Sequence, residues 1–279
     1  MKKRTLVLLG LFLLLAVQKM YRTSAQGIAI LDFRSVTPVA PESRSLLFTL
    51  PVTTTTSASF ECSGLVAPKT GNRIAADRIT FSRSQRLAGG QSESFLATIR
   101  FLPSDLPGEY EGIVYAVPQH VEENTERFPF LIKVRILPWI KIETASPHSL
   151  LVIKDSPSLT ASNLQASAPI KLLLASNSPW RLYLRVGNTE SFAPAKNPAF
   201  PIHIGIGKTV KAQDFSETLL SNGDYQLVAF GPPTVVGDGS TPSNFWTELY
   251  VTASIRNWHR YPTGVHTYPF FFSAETTDH

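Results

Sequence analysis

Hydrophobic and polar positions alternate along most of this chain with a period of two. Trp180, Leu182, Leu184 and Val186 fall on one side of a segment whose other side carries Arg181, Tyr183 and Arg185. A two-residue period is the mark of a half-buried β-strand, because successive side chains leave opposite faces of the pleat. Leu46, Phe48, Leu50 and Val52 follow the same rule, as do Phe95, Ala97, Ile99 and Phe101 against Thr98 and Arg100. So do Phe130, Ile132, Val134 and Ile136 against Lys133 and Arg135. Ile170, Leu172 and Leu174, then Ile202, Ile204 and Ile206, then Leu249, Val251, Ala253 and Ile255 continue it. Turn-forming clusters separate these runs, among them Pro103 to Gly108, Asn222-Gly223-Asp224 and Gly231 to Pro242. Short alternating runs with turns at this spacing, and no helical period beyond the N-terminus, predict antiparallel β-sandwiches.

The chain divides near Pro138-Trp139-Ile140-Lys141-Ile142-Glu143-Thr144-Ala145-Ser146-Pro147, where two prolines bracket a short segment between two runs of strands. Both halves place Pro, Gly and an aromatic before a late strand, as Pro107-Gly108-Glu109-Tyr110 and as Pro262-Thr263-Gly264 leading to Tyr268. In immunoglobulin-like sandwiches an aromatic at that place packs over the sheet corner. The expected architecture is all-β, two tandem Ig-like β-sandwich domains, over 26–140 and 148–279, after an N-terminal signal peptide.

Residues 1–25 supply that leader. Lys2, Lys3 and Arg4 precede the apolar block Leu6 to Val17, and Thr23-Ser24-Ala25 offers small residues for cleavage. Twelve apolar residues rise only about 18 Å as a helix, against roughly 30 Å of bilayer hydrocarbon, so no stable transmembrane anchor is expected. Five of the 26 basic residues lie in the first 22 positions, and the remainder balances the 21 acidic ones. That balance removes the basic footprint which nucleic-acid binding needs. Cys62 is the only cysteine, so no internal disulfide is available, and its alternation with Phe60 marks it as a small buried hydrophobe. Export to the periplasm or cell surface of a bacterium fits these features.

Little in the chain points to catalysis. Gly205-Ile206-Gly207-Lys208-Thr209 imitates the end of a phosphate loop, but the glycine required five positions before its Gly-Lys is Ile202. None of the six histidines pairs at metal-ligand spacing, and there is no Gly-x-Ser-x-Gly elbow. Asp238, between Gly237 and Gly239, reads as a flexible loop residue. No catalytic residue, metal or cofactor is therefore expected, and the chain reads as non-enzymatic. The candidate contact residues are Trp258, His259, Arg260 and Tyr261, aromatic and cationic side chains in a turn before the last strand. Such residues dominate binding hot spots, and they suit a protein partner or a sugar ring.

The segments Gln85-Arg86-Leu87-Ala88-Gly89-Gly90-Gln91, Ile99-Arg100-Phe101-Leu102-Pro103 and Leu106-Pro107-Gly108-Glu109-Tyr110-Glu111-Gly112-Ile113-Val114-Tyr115 give the first half a resemblance to the first domain of periplasmic pilus chaperones. That family lends an alternating apolar strand to a pilus subunit, a form of β-augmentation. The resemblance implies that Arg34 and Lys133 would hold the subunit carboxylate. Phe130, Ile132, Val134 and Ile136 would lie in or beside the lent strand. Around Ser176 to Leu182 and Gly264 to Phe272 the second half is more similar to β-sandwich modules of bacterial surface proteins. Together these readings predict an exported envelope protein that acts through protein or glycan contacts. The alternative expectation is a pilus-assembly chaperone-like protein.

Overall fold

The computed structural model describes residues 28–51, 58–86, 92–118, 127–144, 150–153, 163–165, 169–186, 202–208, 216–220, 224–256 and 266–277. The leader therefore lies outside the described residues. The chain forms two compact units, Met1–Leu137 and Pro138–His279. Strands dominate both, as expected; among the described residues the only helical pieces are a 3-10 turn at Ala76–Arg78 and one turn of α-helix.

The first unit contains β1 (Ala29–Val36), β2 (Glu42–Pro51), β3 (Ala58–Cys62), β4 (Leu65–Val66), β5 (Arg73–Ile74), β6 (Ile79–Arg86), β7 (Ser92–Phe101), β8 (Gly108–Pro118) and β9 (Phe128–Ile136). One sheet runs β1-β9-β8-β4-β5 with β3 also on β8, and the other runs β2-β7-β6. The alternation seen in the sequence turns Phe48, Phe95, Phe101, Phe130, Ile132 and Val134 into a shared core. Phe60 and Phe81, partly buried, stack on each other at 4.4 Å and pack against it. Among the described residues of this unit, β1 on β9 is parallel and bulges between Asp32 and Ser35, and the other pairings are antiparallel. Gly64 and Gly112 let β4 and β8 approach: a Cβ on Gly112 would lie 2.4 Å from the Gly64 carbonyl oxygen. Gly64 also takes the left-handed φ of 92°, which side-chain-bearing residues rarely adopt.

Polar groups close the corner before β8. The buried Asp105 carboxylate accepts from Arg78 Nη2 and from the Leu102 N–H, each at 2.8 Å. The Tyr110 hydroxyl donates to the Leu106 carbonyl at 2.8 Å, the tyrosine-corner arrangement of Ig-like sandwiches. Burial, and then the Asp105 carboxylate, push the Tyr110 pKa up to about 12. Cys62 is half-buried, and that burial raises its thiol pKa.

The second unit contains β10 (Ile140–Thr144), β11 (Leu150–Ile153), β12 (Asn163–Gln165), β13 (Ile170–Ser176), β14 (Trp180–Val186), β15 (Ile202–Gly207), β16 (Ser216–Leu220), β17 (Gln226–Gly231), α1 (Pro242–Phe245), β18 (Thr247–Arg256) and β19 (His266–Thr276). One sheet runs β10-β13-β18-β15-β16 with β12 also on β18, and the other runs β11-β19-β14-β17. Leu172, Leu174, Trp180, Leu182, Leu184, Ile204, Leu249, Val251 and Phe270 form its core. Gly205 and Gly207, from the segment that imitates a phosphate loop, are paired strand residues opposite Thr252 and Tyr250.

The segment that reads in sequence as a connector is structured from its start. Ile140 to Thr144 pair with Ser176 to Leu172. The Trp139 N–H donates to the buried Asn177 Oδ1 at 2.8 Å, and Ser176 Oγ donates to the Trp139 carbonyl at 2.9 Å. Trp139 itself packs with Ala175 and Val235. Prolines suggested a linker here; a buried tryptophan and a polar clasp make it the first strand of the second unit.

Candidate functional site

On the first unit, the outer face of the β1-β9-β8 sheet carries the two cations singled out by sequence. Asp32 lies opposite Lys133, and Ser35 opposite Arg135, so the bulge presents Arg34 beside them. Arg34 takes a left-handed φ of 62°, and its N–H donates to Asp32 Oδ1 at 2.8 Å. Both Arg34 and Lys133 are exposed, and Lys133 Nζ lies 3.9 Å from Glu111. Phe130, Ile132 and Val134 point the other way, with at most 3% of each exposed. Their strand is hydrogen-bonded on both edges, to β1 and to β8. Trp258, His259, Arg260 and Tyr261 lie outside the described residues.

A different surface brings aromatic and cationic side chains together. It is the outer face of β17-β14-β19 in the second unit. The inward residues Leu182, Leu184 and Phe270 are buried, so strand alternation forces Arg181, Tyr183 and Arg185 outward along β14. Antiparallel pairing then sets Phe271 opposite Arg185 and Glu275 opposite Arg181 on one flank. On the other flank Phe230 lies opposite Arg181 and Leu227 opposite Tyr183.

Two arrangements result. At one end the Arg185 guanidinium lies 4.7 Å from the Phe271 ring centre and 5.2 Å from that of Tyr225. Each such stack is worth about 0.5–1 kcal/mol where exposed and more where desolvated. Arg185 has no carboxylate partner among the described residues, and its Nε is buried without a hydrogen bond. At the other end the Tyr183 hydroxyl donates to Glu275 Oε1 at 2.5 Å, which raises the tyrosine pKa, and Arg181 lies 3.8 Å from the same carboxylate. Between and beside them stand Phe230, 79% exposed, and Leu227, Tyr225 and Phe271, each exposed by more than two-fifths. The sheet thus displays flat rings, a guanidinium stacked on two of them and an apolar margin. Such a surface can stack on a sugar ring or anchor a polypeptide.

Sequence reasoning finds the polar side of β14 but not this cluster. Arg181, Tyr183 and Arg185 announce themselves by alternation. Tyr225 and Phe271 are 40 and 86 residues beyond Arg185 in the chain, and only strand register brings them to it.

No family model and no curated protein matches the chain. Among solved structures it is similar to the CsuC–CsuE chaperone–tip adhesion subunit pre-assembly complex from archaic chaperone-usher Csu pili of Acinetobacter baumannii. That similarity has 13% identity and a TM-score of 0.36, over 89% of this chain and 98% of that one. It is also similar to the CFA/I adhesin CfaE of enterotoxigenic E. coli, with 7% identity and a TM-score of 0.35 over 90% of this chain and 93% of that one. A family 123 glycoside hydrolase from Clostridium perfringens matches 39% of this chain with 11% identity and a TM-score of 0.29, and the chain spans 22% of its length.

Proposed function

We propose that this is an exported, non-enzymatic protein of the bacterial cell envelope that works by contact with a protein or a glycan, through the outer face of β17-β14-β19. The observation that carries the reading is Arg185 held between Tyr225 and Phe271 on an exposed sheet face. Neither ring belongs to the buried core cluster of this unit. Aromatic and arginine side chains on a rigid base lose little conformational entropy on binding, which is why they dominate contact energies. The leader-like N-terminus supports export.

The second reading, a pilus-assembly chaperone-like protein, draws on Arg34 and Lys133 sharing one exposed face of neighbouring strands. To lend β9 to a subunit, the chain would have to release β1 from it and expose Phe130, Ile132 and Val134. That cost favours the contact-protein reading.

The test is binding of the exported chain to arrayed glycans and to immobilised envelope proteins. The wild type binds a member of either set, and a chain with Arg185→Ala and Phe271→Ala loses it while keeping its circular dichroism. Equal binding by the variant would refute the reading.

A further inference from the structure

We propose that the ligand of the β17-β14-β19 face is a carboxylated oligosaccharide, with Arg185 holding the sugar carboxylate and the exposed rings taking the faces of the sugar rings. The proposal rests on the contact reading above and names its ligand. Two cations project from the outer face of β14, Arg181 and Arg185. Arg181 lies 3.8 Å from Glu275, which also accepts the Tyr183 hydroxyl. Arg185 stands four residues further on, roughly 13 Å along the strand. It lies over Phe271 and Tyr225, and among the described residues it has neither a carboxylate nor a hydrogen-bond partner.

That difference points to an anion. A guanidinium held by ring faces keeps its in-plane N–H groups for other partners. With Nε buried, the Nη pair is what Arg185 has left to offer. Two parallel N–H donors meet both oxygens of a planar carboxylate, and would leave one of the three outer oxygens of a sulfate ester unmet. One cation also balances one carboxylate, whereas a phosphate monoester brings about −1.5 to −2 charges at pH 7.

The rest of the face favours a sugar over a polypeptide. β14 lies between β17 and β19, so the middle of the face offers no main-chain ladder to an added strand. What it offers is rings: Tyr225 is 47% exposed, Phe271 42% and Phe230 79%. The negative face of an aromatic ring attracts the positive C–H edges that line one side of a pyranose. Phe230 pairs across from Arg181, at the far end of the same span. The rings are thus spaced for several linked sugars and not for one.

Calorimetric titration of the exported chain tests this with a galacturonic acid trimer and a sialylated trisaccharide, each beside its carboxyl-reduced form, its sulfated counterpart and an acidic peptide. The wild type binds one or both carboxylated sugars, and the arm that responds identifies the source of the carboxylate. Reducing the carboxyl to an alcohol weakens that binding roughly tenfold or more. Arg185→Ala abolishes the preference for the acid, and Arg185→Lys, which keeps the charge but not the fork, narrows it. Phe271→Ala weakens the acid and its reduced form alike, and circular dichroism of all three variants is unchanged. Binding to neither carboxylated sugar, equal affinity for acid and reduced forms, tighter binding of the sulfated form or of the peptide, or a preference that survives Arg185→Ala would each overturn the proposal. A neutral glycan or a protein that binds through Arg185 and Phe271 would refute this ligand and leave the contact reading standing.

Discussion

Replacing Phe130 by alanine separates a core strand from a lent one. Phe130 is 2% exposed and lies 5.2, 6.0 and 6.2 Å from the ring centres of Phe48, Phe81 and Phe60. Losing its transfer free energy costs about 2–3 kcal/mol. A residual cavity of roughly 80 Å³ adds about 2 kcal/mol at ~24 cal/mol per Å³, for a total of about 4–5 kcal/mol. Domains of this size hold only about 5–15 kcal/mol in all, so the loss is a large fraction of the first unit's stability. Urea denaturation followed by far-ultraviolet circular dichroism measures it. Lys133→Ala on the same strand is the control: its side chain is 47% exposed and its partner Glu111 is 3.9 Å away, so it should cost under about 1 kcal/mol. A Phe130→Ala loss below about 1 kcal/mol would refute the assignment of that ring to the core.

The corner before β8 makes two further predictions. Asp105→Ala strands Arg78, whose side chain is only 14% exposed; it should cost about 3–5 kcal/mol, read as a fall in melting temperature, with Asp105→Asn milder. The Tyr110 pKa is raised to about 12 in the fold, above the ordinary tyrosine value of about 10, so its contribution to stability is full below pH 10. That contribution is lost as pH rises towards 12, and Tyr110→Phe should flatten the alkaline limb of a pH–stability curve while the limb of the wild type falls.

Strand alternation made most of the described fold legible, because the apolar faces of β7, β9, β13 and β14 in sequence are core faces in the structure. Trp180 to Val186 is the plainest instance: all four apolar residues are buried. Pro138 and Pro147 read in sequence as punctuation, and they hide the strand that begins at Ile140. Trp139 is held there by Asn177 and Ser176, 38 and 37 residues on, and local pattern carries no sign of such partners. The pairing shift that leaves Val228 between Ala229, opposite Leu182, and Leu227, opposite Tyr183, is equally hidden, since it arises from how β17 meets β14 and not from its own composition. The contact face combines both lessons. Its β14 residues are visible in alternation, whereas the Arg185 cluster exists only through the register of three strands.

Affinity for whichever glycan or envelope protein binds the chain, compared across single substitutions on both units, tests the central claim most directly. Surface plasmon resonance with the wild type, Arg185→Ala, Phe271→Ala, Arg34→Ala and Lys133→Ala gives the comparison. Contact through the second unit predicts that Arg185→Ala and Phe271→Ala each weaken binding at least tenfold, about 1.4 kcal/mol, while Arg34→Ala and Lys133→Ala stay within twofold of wild type. Loss confined to Arg34→Ala and Lys133→Ala, with the second-unit variants unchanged, would contradict it.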